Sequence, residues 1–277
     1  MSTALLFPGQ GSQTPEMREQ VARVRPDLLE LAFDVTGEDP FAKVDEGTAY
    51  AQPAIFCASI AGYHALGCPE AEFAAGHSLG EIGALVAAGA VSERDGLELV
   101  TLRGRLMQRC GEGDGAGGML ALIGAEASQL APELAALHGL AVANDNSPAQ
   151  IVLSGAGQAL PAARDAAKAA GLRAIILPVS GAFHSPLMAP AVAEFEQALA
   201  RLEIRPPACT VISGLTAEPF DDVRVRLAQA LTGPVRWREV LLALNARGVT
   251  RMVEVGPGKV LSGLAKRTLT DVELVNA

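Results

Sequence analysis

Gly76-His77-Ser78-Leu79-Gly80 is the stretch on which the reading of this chain turns. The short apolar run Phe73-Ala74-Ala75 precedes it. Glu81-Ile82-Gly83-Ala84-Leu85-Val86-Ala87-Ala88-Gly89, apolar at helical spacing, follows it. A strand, a tight turn and a helix with serine at the apex are the context a G-x-S-x-G elbow requires. Side chains at 76 or 80 would crowd the strand against the incoming helix. A serine held there projects its hydroxyl at a helix N-terminus, where free N–H groups favour developing negative charge. An ordinary glycine-rich turn is the plainer alternative, but both flanks favour a nucleophilic Ser78.

At 277 residues the chain is long enough for one large domain or a domain with an insertion. Hydrophobic content of 49% against 19% charged makes it globular and argues against a disordered tail. No apolar run reaches membrane-spanning length. The start, Met1-Ser2-Thr3-Ala4-Leu5-Leu6-Phe7-Pro8, lacks a basic stretch and a cleavage-like site, so the expectation is a cytoplasmic protein without a signal peptide. Cys57, Cys68, Cys110 and Cys209 are scattered without C-x-x-C spacing, which argues against a zinc site or a disulfide framework. A net charge of −9 disfavours nucleic acid as partner. Residues 201–277 nevertheless sum to +3 and the first 200 to −12. A basic C-terminal part could receive an acidic partner, or be a mixed solvated surface.

Working outward, Ala4-Leu5-Leu6-Phe7 reads as a buried strand ending at Pro8-Gly9-Gln10-Gly11-Ser12-Gln13. The glycines permit close approach of main-chain N–H groups to a ligand. No Gly-Lys-Ser/Thr follows, so this is not a phosphate loop. It is a plain turn or a source of an oxyanion donor. Residues 16–66 read as largely helical, with breaks at Gly37-Glu38-Asp39-Pro40 and at Gln52-Pro53, and 54–61 as a core helix. Ser92 is a predicted N-cap. In the helix after it, Arg103 falls among the apolar positions Leu97, Val100, Leu106 and Met107. An arginine there either snorkels or pairs a buried anion.

Gly111–Gly118 is the clearest linker. Beyond it Met119–Ile123 reads as strand, Ser128–Leu137 as helix, Leu140–Ala143 and Ile151–Ser154 as strands, Leu160–Ala170 as helix and Leu172–Pro178 as strand. That βαββαβ order is the ferredoxin-like unit, a subdomain inserted in a larger α/β one. A ligand cleft is expected between them. The chain leaves the insert through Gly181-Ala182-Phe183-His184-Ser185. Of four histidines, His77 should point away from the serine, while His64 and His138 have structural readings. Elimination makes His184 the general base for Ser78.

Five motifs occur in order: Phe7-Pro8-Gly9-Gln10-Gly11-Ser12-Gln13, Gly76-His77-Ser78-Leu79-Gly80-Glu81, Leu102-Arg103-Gly104-Arg105-Leu106-Met107-Gln108, Gly181-Ala182-Phe183-His184-Ser185 and Val255-Gly256-Pro257-Gly258-Lys259. Together they resemble the malonyl-CoA:acyl-carrier-protein transacylase family, related to polyketide synthase acyltransferase domains. The resemblance spans essentially the whole chain. It implies an α/β-hydrolase-like core, residues 1–113 and 184–277, with an inserted ferredoxin-like subdomain, residues 114–183.

The resemblance also implies roles. Ser78 is then the nucleophile and His184 its base, with the N–H groups of Gln10 and Leu79 as oxyanion hole; losing one such donor costs roughly 3–4 kcal/mol. Arg103 grips the malonyl carboxylate, in place of snorkelling, because a guanidinium offers two parallel hydrogen bonds. A buried carboxylate left unpaired would cost about 3–5 kcal/mol, so Arg103 selects malonyl over acetyl. Phe183 matches the malonyl-type signature. Aligned on Pro234-Val235-Arg236-Trp237, the backbone carbonyl that orients His184 belongs to Ala230. Malonyl-CoA is substrate, an acyl carrier protein is acceptor, and the implied protein is a monomer needing no metal or cofactor.

Asn144-Asp145-Asn146-Ser147-Pro148 reads as a turn between insert strands, with Asn146 a candidate pantetheine contact. Gly256-Pro257-Gly258-Lys259 follows an apparent strand, Met252–Val255, as a structural turn opening a helix. Lys259, Lys266 and Arg267 are candidates for docking an acidic carrier. A serine thioesterase or hydrolase is the main rival, but its usual order puts histidine last, after an acid, and here more than ninety residues follow His184. A non-catalytic carrier-binding scaffold is the other.

Overall fold

The computed structural model describes residues 2–112, 117–179 and 181–276. The chain opens with β1 (Ser2–Phe7), α1 (Met17–Val24), α2 (Asp27–Thr36), α3 (Thr48–Ala65), β2 (Phe73–Gly76), α4 (Gly80–Ala87) and α5 (Glu93–Gly111). An insert follows: β3 (Gly117–Ile123), α6 (Ala127–His138), β4 (Ala141–Ser147), β5 (Gln150–Ala156), α7 (Leu160–Ala169) and β6 (Arg173–Ile176). The chain then continues with α8 (Ala189–Arg201), β7 (Thr210–Ile212), α9 (Val223–Gln229), α10 (Trp237–Ala246), β8 (Val249–Glu254), α11 (Val260–Thr268) and β9 (Glu273–Asn276).

The first sheet has the order β7-β2-β1-β8-β9, and each pairing is parallel. Its centre is β1, whose Ala4–Phe7 are buried on both faces, which is why this strand is a continuous apolar run and does not alternate. On one side lies a core with Phe7, Phe56 and Phe195; on the other Trp237, Leu244 and Met252. The insert is a second sheet, order β4-β5-β3-β6, antiparallel throughout. With its two helices this is the ferredoxin-like arrangement expected from the sequence. Period-two alternation divides its residues. Leu120 and Leu122 pack with Leu134 and Leu153 under the insert's own helices, whereas Met119, Ala121 and Val152 join the core of the larger part.

The insert is laced to the rest through β4. Asp145 N–H donates to the Val235 carbonyl (2.9 Å) and Val235 N–H to that of Ala143 (2.8 Å). Asp145 pairs with Arg238 at 2.7 Å. This corrects the reading of Asn144–Ser147 as a turn. They continue the strand because residues 143–145 have a second pairing partner in Val235, a tertiary bond that composition does not reveal.

A second correction concerns Gln52-Pro53. Helix α3 runs through Pro53 unbroken and keeps Gln52 buried. Proline at the sixth helical position removes one intrahelical bond, and burial of the following turns, Ala54–Ala61, compensates. Of the expected linker, residues 113–116 lie outside the described residues, and Gly117 and Gly118 already belong to β3. Strands β7 and β9 were not expected: both are short edge strands of the parallel sheet. Ser92 caps α5 as predicted, accepting from Asp95 N–H at 3.1 Å. The turn at Gly256 and Gly258 is structural, since a side chain at either would strike Ser59 or the Ser12 carbonyl.

Strand β2 meets helix α4 backbone to backbone. A methyl group on Gly76 would overlap the carbonyl of Gly80, and one on Gly80 would overlap that of Phe7. Gly89, by contrast, has a left-handed φ of 74° and nothing near its missing side chain. Gly80→Ala is therefore expected to cost about 3 kcal/mol, the upper end for overpacking, through forced backbone displacement. Gly89→Ala should cost about 1–2 kcal/mol through φ strain alone. Urea unfolding of the two variants checks this ordering.

Candidate active site

Ser78 sits where β2 gives way to α4. His77 N–H reaches across to the Phe7 carbonyl (2.9 Å), and Gly80 N–H closes the turn on the His77 carbonyl (3.0 Å). Between them Ser78 adopts φ of 55°, a left-handed backbone uncommon outside glycine. The cost of such a residue is retained where the surroundings over-determine it, here by the glycine contact on either side.

His184, also left-handed at φ 58°, is buried at 4% exposure. Its Nδ1 lies 2.9 Å from the carbonyl of Ala230 and 3.2 Å from that of Gly233. Ala230 is the C-cap of α9, so its carbonyl is among the acceptors a helix end leaves free. Two carbonyls can only accept, so Nδ1 carries the proton and Nε2 is free to accept. Ser78 Oγ, 2.8 Å away, donates to that Nε2. Burial pushes the imidazole down to about 3, with the Arg103 cation as the second cause, so the ring is neutral well into the acid range.

Arg103 projects from α5 at 4% exposure. It donates through Nη2 to Ser78 Oγ (3.0 Å) and through Nη1 to Gln52 Oε1 (2.9 Å), both uncharged. Desolvation lowers it to about 10, with the Glu81 carboxyl opposing, and it remains a cation at neutral pH. Glu81 itself is buried and pushed up to about 7 by desolvation. It accepts from Gly214 N–H (2.7 Å) and Ser213 Oγ (3.3 Å). A cation buried beside a serine hydroxyl, bonded only to neutral groups, is a site for an anion.

These groups face a cavity of about 340 Å³ between the two sheets. Gln10, Ser78, Leu79, Arg103, Phe183 and His184 line one side, and Met119, Ala121, Asn144, Asn146 and Val152 of the insert line the other. The N–H groups of Gln10 and Leu79 have no acceptor among the described residues. Asn146 belongs to β4 and its Oδ1 lies 2.8 Å from His77 Nε2. His77 thus turns from the serine towards the insert, as expected of it, and its edge meets Trp237. His64 lies in a cluster with Arg25 and Glu93 away from the cavity, and His138 ends α6. Lys259, Lys266 and Arg267 are all exposed. They fall at opposite ends of α11, whose Val260, Leu261 and Leu264 line the cavity, so the cations stand about 10 Å apart along the axis. Among the described residues no group of three His, Cys, Asp or Glu side chains could hold a metal ion.

Three participants escaped sequence reasoning: Gln52, Glu81 and the Gly233 carbonyl. Only Gln52 left a signal, as a glutamine four residues after Thr48 in a stretch otherwise apolar, and the neighbouring proline masked it.

Residues 33–276 match the family model described as acyl transferase domain. The chain is 39% identical over 96% of its length to the polyketide biosynthesis protein ThaF of Burkholderia thailandensis, of which it spans 24%. It is 40% identical over 95% of its length to the malonyl CoA-acyl carrier protein transacylase of Bacillus subtilis, of which it spans 89%. Among solved structures it superposes on the malonyl-transacylase in complex with its type II PKS acyl-carrier protein. That match has a TM-score of 0.90 at 35% identity and covers 100% of this chain and 96% of the other.

The depressed His184 gives a directional expectation. The unfolded chain takes up a proton on this histidine near pH 6.5 and the folded one only near 3, so its contribution to stability is full above 6.5 and is lost as pH falls towards 3. Followed by NMR, the His184 ring should show no titration midpoint between pH 8 and 5. A midpoint near 6.5 would mean a solvated ring.

Proposed function

Because the chain belongs to the acyl transferase domain family, within the malonyl-CoA–acyl carrier protein transacylases, we propose that it moves a malonyl group from malonyl-CoA to the pantetheine thiol of an acyl carrier protein. The observation that carries the malonyl part is Arg103, a buried cation hydrogen-bonded to Ser78 and to no anion among the described residues. It takes the free carboxylate of the substrate in a charge-assisted bidentate pair. Acetyl-CoA leaves that cation unmatched.

Ser78 Oγ attacks the thioester carbonyl as its proton passes to His184 Nε2, whose Nδ1–H stays on the Ala230 carbonyl. The N–H groups of Gln10 and Leu79 receive the oxyanion. The carbon–sulfur bond breaks, the CoA thiolate recovers the proton from His184, and a malonyl ester remains on Ser78. In the second half the carrier thiol gives its proton to His184 and attacks the ester, and Ser78 Oγ leaves with that proton. The substrate carboxylate beside Arg103 cancels part of the field that holds His184 down, so the base strengthens when malonyl is bound. No metal or redox cofactor enters these steps.

Phe183 closes the malonyl end of the cavity, and Asn146 contacts the pantetheine arm, its Oδ1 held by His77. Residues 114–183 form the smaller subdomain, and 1–113 with 184–277 the larger. Lys259, Lys266 and Arg267 on α11 receive the acidic carrier. The protein acts as a monomer in the cytoplasm.

Intact mass after brief exposure to malonyl-CoA alone tests the reading. A malonyl adduct is expected that is absent in Ser78→Ala, absent with acetyl-CoA, and discharged by added carrier. Release of free malonate with no preference for carrier would make this a hydrolase, and no adduct would leave a scaffold. Arg103→Ala should lose malonyl-CoA kcat/KM by a factor of at least about 100, from a 3–5 kcal/mol buried ion pair. Reversing the charge of Lys259, Lys266 and Arg267 together should raise KM for carrier while ester formation from malonyl-CoA is unchanged. Unaltered transfer to carrier would remove these three from the docking surface.

A further inference from the structure

Four side chains form one hydrogen-bonded line from the buried cation to the glycine-flanked loop. Arg103 Nη1 donates to Gln52 Oε1 (2.9 Å), Gln52 Nε2 donates to Thr48 Oγ1 (3.0 Å), and Thr48 Oγ1 donates to Gln10 Oε1 (2.8 Å). Arginine can only donate, which fixes the orientation of Gln52. Gln52 must present its carbonyl to Arg103 and its amide N–H to Thr48, which leaves the hydroxyl proton of Thr48 for Gln10. Gln52 and Thr48 are 1% and 2% exposed, so water does not compete for the two bonds of Gln52, while the bond to Gln10 is only partly buried.

Thr48 is itself held firmly. It is the first residue of α3, and Gly104 of α5 packs so closely on its carbonyl that a side chain at 104 would collide with it. The next N–H, that of Ala49, donates to Gln108 Oε1 at 3.1 Å, again from α5. The start of α3 is thus clamped to the helix that carries Arg103. Gln10 is the opposite case. It is exposed and lies between Gly9 and Gly11, the latter at φ 99°, and among the described residues its side chain has no hydrogen bond but the one from Thr48.

We infer that Thr48 is a positioning residue: its hydroxyl anchors the Gln10 side chain so that the Gln10 N–H faces the thioester carbonyl oxygen. The inference rests on the oxyanion role given to Gln10 above. Thr48 does not line the cavity. It acts through Gln10, on a donor needed in the transition state, and its effect belongs in kcat and not in substrate binding.

The test measures malonyl-ester formation on Ser78 in wild type, Thr48→Val, Thr48→Ser, Gln10→Met and the Thr48→Val/Gln10→Met double variant. Loss of this partly buried hydrogen bond should lower kcat about 5- to 30-fold in Thr48→Val, with KM for malonyl-CoA within about twofold and the preference for malonyl over acetyl unchanged. Thr48→Ser should restore most of the rate. The double variant should be no slower than the slower single one, because both remove the same bond. A Thr48→Val rate within twofold of wild type would overturn the inference. So would multiplying rate losses in the double variant, or an effect confined to KM or to malonyl preference, which would place it on Arg103. Should Thr48→Val fail to fold, Gln10→Met, a change in an exposed loop, makes the same comparison of kcat, KM and preference. Failure of the underlying reading is distinguishable, since wild type would then form no ester on Ser78 at all.

Discussion

Gly76 and Gly80 meet backbone to backbone, and the position of the reactive groups depends on that contact. It leaves no room for any side chain between β2 and α4, so the chain must turn within three residues and Ser78 must take a left-handed backbone. The hydroxyl is thereby lifted clear of the sheet at the N-terminus of α4. There it is reached by Arg103 from α5 and by His184 from the segment that returns from the insert. A looser turn would let Ser78 relax to an ordinary φ and withdraw from both.

The charge balance of the cavity follows from burial. Among the described residues Arg103 is a cation without a carboxylate partner at hydrogen-bond distance, and the burial of His184 together with the Arg103 field keeps that histidine neutral. Glu81, in the first turn of α4, opposes the desolvation of Arg103 electrostatically, yet its own desolvation raises it to about 7 and it accepts from Gly214 N–H. The cavity is therefore short of negative charge, the condition under which a carboxylate-bearing substrate is favoured over a neutral one.

The insert matters less for its own core than for the face it turns outward. Met119, Ala121 and Val152 complete the apolar wall of the cavity that Ser78 lines, and Asn146 ties that wall to His77 beside Ser78. Strand β4 is held by Val235 and Arg238, a few residues after the Ala230 and Gly233 carbonyls that orient His184. One segment of chain, 230–238, thus positions both the histidine and the wall it faces.

Much of this was legible in the sequence, because local patterns carry local consequences. The glycine spacing of 76–80 implies the elbow, the βαββαβ rhythm implies the ferredoxin-like insert, and elimination among four histidines leaves His184. Five motifs in order identify the family. What could not be read are the contacts between distant segments. Asn144–Ser147 has the composition of a turn and becomes strand because Val235 pairs with it. Gln52-Pro53 has the composition of a break and becomes helix because burial outweighs one missing hydrogen bond. Whether Arg103 snorkels or pairs a buried anion was open from its own helix, and only the tertiary structure shows it buried against Ser78 and Gln52. The sequence by itself determined which elements form and which residue types could react. The tertiary structure decided which of them meet, because burial and hydrogen bonding between remote parts of the chain depend on distances that no local pattern encodes.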